Sequence, residues 1–370
     1  MDTSMQPACS SESTIAIRSI RRLIRLQNSD GSFLYKYDPL EGIKAPFRYN
    51  VVRHAGCAYA LCWAFSRKEM KEEEGLERTA RLAIKYLIQL LKEYGSSIYV
   101  HECGSYIGNL GATALLSCAL SFEPFHTDFA DLNRNLLSSL LDAQRDDGSF
   151  VCKFNSLSSS DGKSQNYYPG ETLLAIARYL ENNSGYPLPS SAIEKAFGYY
   201  RALFTATPHT GMVLWHADAW TRFYRLAKTT PALARGSTSN YLEFAIQLIE
   251  WMLPHQIQLA AGPESLVGGF LMGIEPGVGS ASYVEAFLRV YHTLSVERRK
   301  NDIQRYQPYI DSGLRFISRL HFSSDNFSTE VSHWTAGGTP RSFTQKRFRM
   351  DYDQHVITLC LTAFDTLRLD

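Results

Sequence analysis

The sequence has no CxxC pair and no HExxH, the local spacings that most often gather zinc ligands. It has no glycine-rich phosphate loop, no dinucleotide fingerprint and no Gly-x-Ser-x-Gly elbow, so no motif points to nucleotide or α/β-hydrolase chemistry. Charge of one sign is missing as well. Lys and Arg number 38 against 37 Asp and Glu, a net charge of +1. No nucleic-acid partner and no anionic membrane surface are expected. Apolar runs are broken by charge well before the roughly 18 residues of a transmembrane helix, so no integral membrane segment is expected. The first residues, Met-Asp-Thr-Ser-Met-Gln-Pro, carry neither a basic nor an apolar leader region, and the reading is a cytoplasmic protein. Cysteines are few and odd in number, seven in all. Cys57, Cys62, Cys118 and Cys360 fall on apolar helical faces and read as buried free thiols.

What is present is apolar and helical. Hydrophobic residues make up 45% of the 370 and charged ones 20%, enough for a large core. Six stretches begin with a polar or glycine-containing tip and run into an apolar helix. Their first residues are His54, Leu110, Tyr168, His216, Ser280 and Asp351. These starts lie roughly 50 to 70 residues apart, the period of a helix-hairpin array. Amphipathic helices with apolar residues at i, i+3 and i+4 are predicted near 15–26, 75–94, 130–144, 190–204, 239–258 and 303–320. The first of these carries Arg18, Arg21, Arg22 and Arg25 on one stripe, read as a solvated face. Strand-like alternation is scarce. The predicted fold class is all-α: a single α/α toroid of about six helical hairpins, apolar helices inside and amphipathic ones outside. Residues 1–12 are polar and expected to be disordered, and 13–370 to form one domain. The polar tips would then gather at one mouth of the ring.

One internal repeat is clear. Leu26-Gln-Asn-Ser-Asp-Gly-Ser-Phe33 recurs as Ala143-Gln-Arg-Asp-Asp-Gly-Ser-Phe150. The Gln can hydrogen-bond backbone at the turn, the Gly permits positive φ, and the aromatic packs back on the hairpin. The repeat shapes the scaffold. It resembles the Gln/aromatic repeat of the squalene and terpenoid cyclases and the corresponding turns in protein prenyltransferase β-subunits, which share the α/α toroid. Gly268-Gly-Phe270 is like a third turn, without the expected Gln. Asp351-Tyr-Asp-Gln-His355 resembles the Asp-x-Asp-Asp tip of class II cyclases, with Gln354 in place of the last Asp. The resemblance makes Asp353 or Asp351 a proton donor. His355 also matches the tip histidine that ligates zinc in prenyltransferases, but the Asp-x-Cys pair of that family is not visible. The Asp-rich helix of magnesium-dependent terpene synthases is absent. The same ring hosts glycoside hydrolases, sugar epimerases, polysaccharide lyases and lanthionine cyclases, so the architecture does not fix the function.

The tips supply the candidate site. Tyr49-Asn-Val-Val-Arg-His54 offers Arg53 for an anion and His54 for a proton, or Arg53 ties down a loop. Tyr168-Pro-Gly-Glu171 places a carboxylate in a helix's first turn, where it either complements the dipole or acts as general acid or base. Trp215-His216-Ala-Asp218 places a histidine and a carboxylate together, with Arg222 one turn beyond Asp218. Asp351 and His355 share a face one turn apart, and the alternative for Asp351 and Asp353 is capping. Trp334 and Arg349, with His333, Arg341 and Arg347, lie in a glycine-rich loop, 323–346 and just beyond, that reads as a lid. Catalytic residues are therefore expected among Asp351, Asp353, His355, His54, Glu171 and His216. Tyr49, Arg53, Tyr168, Asp218, Trp215, Trp334 and Arg349 are expected to hold substrate. No metal and no cofactor are expected, although His54, His216 and His355 with Glu171 or Cys103 are the residues that would converge on one.

The expected activity is acid–base catalysis in the ring cavity on a small-molecule substrate. Guided by the resemblance, that is a cyclase or isomerase of a terpenoid-like substrate. The tips are rich in Arg, His and Tyr, which also suits a carbohydrate-active enzyme on an anionic sugar. A non-catalytic toroid that binds a partner is the third reading.

Overall fold

In a computed structural model the structure describes residues 7–43, 49–155, 161–187, 189–230, 238–259, 262–322 and 329–367. The helices are α1 Pro7–Arg25, α2 Val51–Phe65, α3 Leu76–Gln89, α4 Leu110–Ala119, α5 Phe125–Asp128, α6 Ala130–Asp142, α7 Tyr168–Asn182, α8 Ser190–Ala206, α9 Thr210–Thr229, α10 Thr238–Met252, α11 Ser280–Val296, α12 Lys300–Phe322, α13 Thr329–Thr335 and α14 Met350–Leu367. The first helix begins at Pro7, inside the stretch expected to be disordered; residues 1–6 lie outside the described residues.

By its contacts the chain divides into two compact units. One comprises Met1–Phe47, Arg67–Leu82 and Trp251–Asp370. Here α1 packs on α14, α14 on α11, and α11 on α12. Short strands β1 Lys36–Asp38, β2 Gly42–Ile43 and β7 Phe348–Arg349 form an antiparallel sheet in the order β2-β1-β7. The other unit comprises Arg48–Ser66 and Ala83–Glu250. In it α2 packs on α4, α4 on α7, and α7 on α9. Its small ladders are β3 Leu91–Tyr94 with β4 Ser97–Val100, and β5 Gly108–Asn109 with β6 Lys153–Phe154.

Burial follows composition. Helix α4, Leu-Gly-Ala-Thr-Ala-Leu-Leu-Ser-Cys-Ala, is apolar all round and buried throughout, as a helix covered on every side must be. Helix α3 buries Leu76, Thr79, Ala80, Ala83, Ile84 and Leu87 along one stripe and leaves the rest at least partly exposed. The inner starts are capped locally. The Asn50 side chain accepts Arg53 N–H at 3.0 Å, and Asn109 accepts Ala112 N–H at 3.1 Å. Cys57, Cys62, Cys118 and Cys360 are buried. Among the described residues no helix is long and apolar enough to cross a membrane.

The repeated turn occurs a third time. Gln27 Nε2 donates to Gly31 O at 3.2 Å and to Thr79 O at 2.9 Å. Gln144 does the same to Gly148 O at 3.3 Å and Ala192 O at 2.8 Å. Gln256 donates to Gly268 O at 3.2 Å and Tyr309 O at 2.8 Å. The aromatics Phe33, Phe150 and Phe270 each bridge back to the glutamine of their turn. Gly31, Gly148 and Gly268 have φ of 92°, 91° and 89°, which a side chain rarely adopts. The third turn therefore does have its glutamine: Gln256, separated from its glycine by an inserted loop.

The arginine stripe of α1 is not a solvated face throughout. Arg22 is 2% exposed and pairs with Asp353. Arg25 donates to the carbonyls of His333 and Ala336 at 2.8 and 2.6 Å. The segment expected to be a lid packs on this helix instead. A Cβ at Gly337 would overlap the Arg18 carbonyl, and Gly337, Gly338, Thr339 and Pro340 are buried. Residues 323–328 of that segment lie outside the described residues.

Candidate functional site

Of the sequence-predicted residues, Tyr49, Arg53, His54, Tyr168, Glu171, Trp215, His216 and Asp218 belong to the unit built on α2, α4, α7 and α9. Trp334, Arg349, Asp351, Asp353 and His355 belong to the unit built on α1, α11, α12 and α14.

In the latter, each acidic tip residue has a basic partner. Asp353 accepts from Arg22, whose Nε–H donates to Trp334 O at 2.8 Å. Burial pushes the Asp353 carboxyl up to about 6, with Arg22 pulling the other way. Asp351 takes both Arg349 Nε–H and, at 2.8 Å, Arg349 Nη2–H. The Arg349 guanidinium lies 4.5 Å from the Tyr352 ring centre. His355 Nδ1 is 3.1 Å from Ser282 Oγ. Trp334 stacks on Tyr37 at 5.7 Å. A buried polar knot that the sequence reading did not name lies on α11 and α14. Glu285 accepts from Arg289 at 3.0 Å, Thr358 at 2.7 Å and Thr362 at 3.3 Å.

In the other unit the histidines differ in kind. His54 is fully buried with both ring nitrogens engaged. Nε2 faces the Ala83 carbonyl at 3.0 Å and so carries the proton, and Nδ1 faces Tyr49 Oη at 2.9 Å and so accepts from it. Arg53 is half-buried in the first turn of α2. His216 was expected at a helix tip, but α9 begins at Thr210, with His209 capping Gly211 N–H at 2.9 Å. His216 thus sits in the second turn, fully buried. Its Nδ1 accepts Trp220 Nε1–H at 3.2 Å, which leaves the proton on Nε2, and among the described residues Nε2 has no partner. Burial pushes the imidazole down to about 3, so it is neutral. Trp215 is buried beside it, and Asp218 accepts Arg222 Nε–H at 2.8 Å, the pairing its spacing predicted.

Glu171 stands apart from every other carboxylate named here. It lies in the first turn of α7 after Pro169 and Gly170, is 4% exposed, and among the described residues its Oε2 has no hydrogen-bond partner. Burial alone pushes its carboxyl up to about 8, so it is protonated at neutral pH. Backbones meet closely around it. A Cβ at Gly111 would overlap Glu171 Oε2 and the Tyr168 ring, and one at Gly170 would press on Trp215 and His216. Tyr168, half-buried, has its hydroxyl 3.4 Å from Asn109 Nδ2, which also reaches Glu102 at 3.4 Å; burial pushes this phenol up to about 12. Tyr167, 40% exposed, lies over Gly211. The arrangement offers two neutral proton donors, Glu171 and His216 Nε2–H, with tyrosines at the tip.

Among the described residues no group of three or more His, Cys, Asp or Glu side chains is placed to hold a metal ion.

No protein family's sequence signature matches the chain, and no curated protein matches it in sequence. Solved structures do match. A cellobiose 2-epimerase from Bacillus thermoamylovorans has a TM-score of 0.64 at 10% identity, covering 97% of this chain and 98% of its own. The GH76A α-1,6-mannanase from Salegentibacter has 0.62 at 11%, covering 98% and 100%. A type II terpene cyclase from Scytonema, solved with geranylgeranyl dihydroxybenzoate, has 0.58 at 10%, covering 98% and 100%. These likenesses show the fold. The chain is all-α with the α/α toroid fold, the fold of terpenoid cyclases that the turn motifs resemble.

Proposed function

We propose that the protein is an enzyme acting on a small, oxygen-rich substrate of the carbohydrate class, with Glu171 as the general acid. The observation that carries this reading is the Glu171 carboxyl: buried and, among the described residues, without a partner on Oε2, with burial pushing it up to about 8. A buried polar atom left unpaired costs about 1–3 kcal/mol and calls for an explanation. A substrate oxygen that takes the proton supplies one. An acid with a pKa near 8 suits a glycosidic or carbonyl oxygen, where donor strength is matched to the working pH. It is too weak to protonate an alkene. His216 Nε2–H is a second neutral donor that would polarise the same class of oxygen, and the half-buried Tyr168 would orient it. The sugar epimerase and mannanase with this fold agree with such a substrate.

A cyclase of a terpenoid-like substrate is the second reading. It is favoured by the glutamine turns, by the Asp351–Asp353 tip and by the likeness to a type II terpene cyclase. Its acid would be Asp353, which already serves Arg22.

The test is turnover of reducing disaccharides, aryl glycosides and a linear polyprenyl substrate by wild type and Glu171→Gln. The expected result is activity on a sugar that falls about 10²- to 10⁴-fold in kcat in the variant, with the melting temperature held or raised. Undiminished sugar turnover in Glu171→Gln, or turnover of the polyprenyl substrate alone, overturns the assignment. No turnover of any substrate favours a partner-binding toroid.

A further inference from the structure

Arg178, on α7 two turns beyond Glu171, is buried, and among the described residues no carboxylate pairs with it. It is 7% exposed, and among the described residues its one hydrogen bond runs from Nη2 to Tyr59 Oη at 3.1 Å. Among the described residues its Nε–H has no partner. Three aromatic rings box the guanidinium: Phe122 at 4.5 Å, Tyr59 at 5.2 Å and Trp63 at 5.6 Å from their centres. Phe122 is the half-buried wall, and Tyr59 and Trp63 are buried. The nearby carboxylates are already committed. Arg222 pairs with both Asp218 and Glu181, and Arg225 reaches Glu181 at 3.5 Å. Aromatic faces offset part of the cost of burying a cation, but they accept no N–H in the plane of the guanidinium fork.

We infer that the box of Tyr59, Trp63 and Phe122 around Arg178 is a binding subsite for the carboxylate group of a small organic ligand. A carboxylate brings one negative charge to the one guanidinium, and its planar pair of oxygens matches the guanidinium fork between flat aromatic walls. A phosphate brings about 1.5 to 2 negative charges and three oxygens, more than one arginine with one free edge satisfies. The inference does not depend on Glu171 or on turnover, because binding is measured directly.

The experiment is calorimetry on the intact protein with D-glucuronate, benzoate, D-glucose and inorganic phosphate, at constant ionic strength. The expected result is binding of at least one monocarboxylate, with phosphate and glucose weaker by tenfold or more. In Arg178→Met the carboxylate affinity should fall tenfold or more, and in Arg178→Lys by less. Should Arg178→Met fail to fold, Tyr59→Phe and the wild-type Trp63 fluorescence carry the test. Carboxylate should quench that fluorescence and raise the wild-type melting temperature, where equal sodium chloride does neither. No response to either carboxylate, equal affinity for glucose, tighter binding of phosphate, or unchanged binding in Arg178→Met overturns the proposal.

Discussion

Arg22 on the first helix and Asp353 on the last form an ion pair with 2% and 0% of the two side chains exposed. The same guanidinium holds Trp334 O and lies 5.4 Å from the Phe348 ring, so one side chain ties α1, α14 and the segment before β7. A Cβ at Gly338 would press on its stem, which is why glycine passes there.

Removing one partner of this pair should be costly. Arg22→Met or Asp353→Asn leaves the other group buried with its counter-charge gone, and the expected loss is about 3–5 kcal/mol. The double variant Arg22→Met with Asp353→Leu should recover much of that, since two apolar groups need no partner. Urea unfolding measures both. A loss below about 1 kcal/mol in either single variant would show that the pair does not hold the helices.

Gln256 offers a second check. If its side chain closes the third turn as Gln27 and Gln144 close theirs, Gln256→Ala strands the Tyr309 and Gly268 carbonyls, at about 1–3 kcal/mol. Gln144→Ala should cost a similar amount. Stability of Gln256→Ala within about 0.5 kcal/mol of wild type would mean water replaces the amide.

Tyr49 and His54 test whether a histidine at a predicted tip is structural. Tyr49→Phe removes the donor to Nδ1 and should lower stability by about 0.5–1.5 kcal/mol while leaving turnover within about twofold. A large fall in kcat with unchanged stability would return His54 to the reacting groups.

Much of this fold was legible because apolar and amphipathic helices differ in spacing, and five of the six apolar starts fall within about three residues of a helix start. The sixth failed at His216. The helix begins at Thr210, and the capping His209 is not a residue type that signals a start. The third turn hid because twelve residues separate Gln256 from Gly268, against four in the other copies. Arg22 read as solvated because a polar stripe gives no sign of a partner 331 residues away. Arg178 carried a faint signal, an arginine in the otherwise apolar run Leu-Leu-Ala-Ile-Ala-Arg-Tyr-Leu. Glu171 could be nominated from its tip, but its protonation depends on the lack of a partner, which no sequence displays.

That protonation gives the last prediction, on pH. The Glu171 carboxyl goes from an ordinary 4.5 unfolded to about 8 folded. Between these values the folded state holds a proton that the unfolded state has lost. Its contribution is therefore full below about 4.5 and is lost as pH rises toward 8, at up to about 1.4 kcal/mol per pH unit. His216 has the opposite sign. Its pKa falls from 6.5 to about 3 on folding, so its contribution is present above 6.5 and lost as pH falls. Glutamine copies the protonated acid and does not titrate. Glu171→Gln should thus match wild type near pH 4 and exceed it increasingly from pH 5 to 8. Urea unfolding of both proteins across pH 4 to 8 reads the difference directly. Parallel curves would mean that Glu171 is ionised in the folded protein, with a partner for its charge, and Glu171 would then lose its place as the acid.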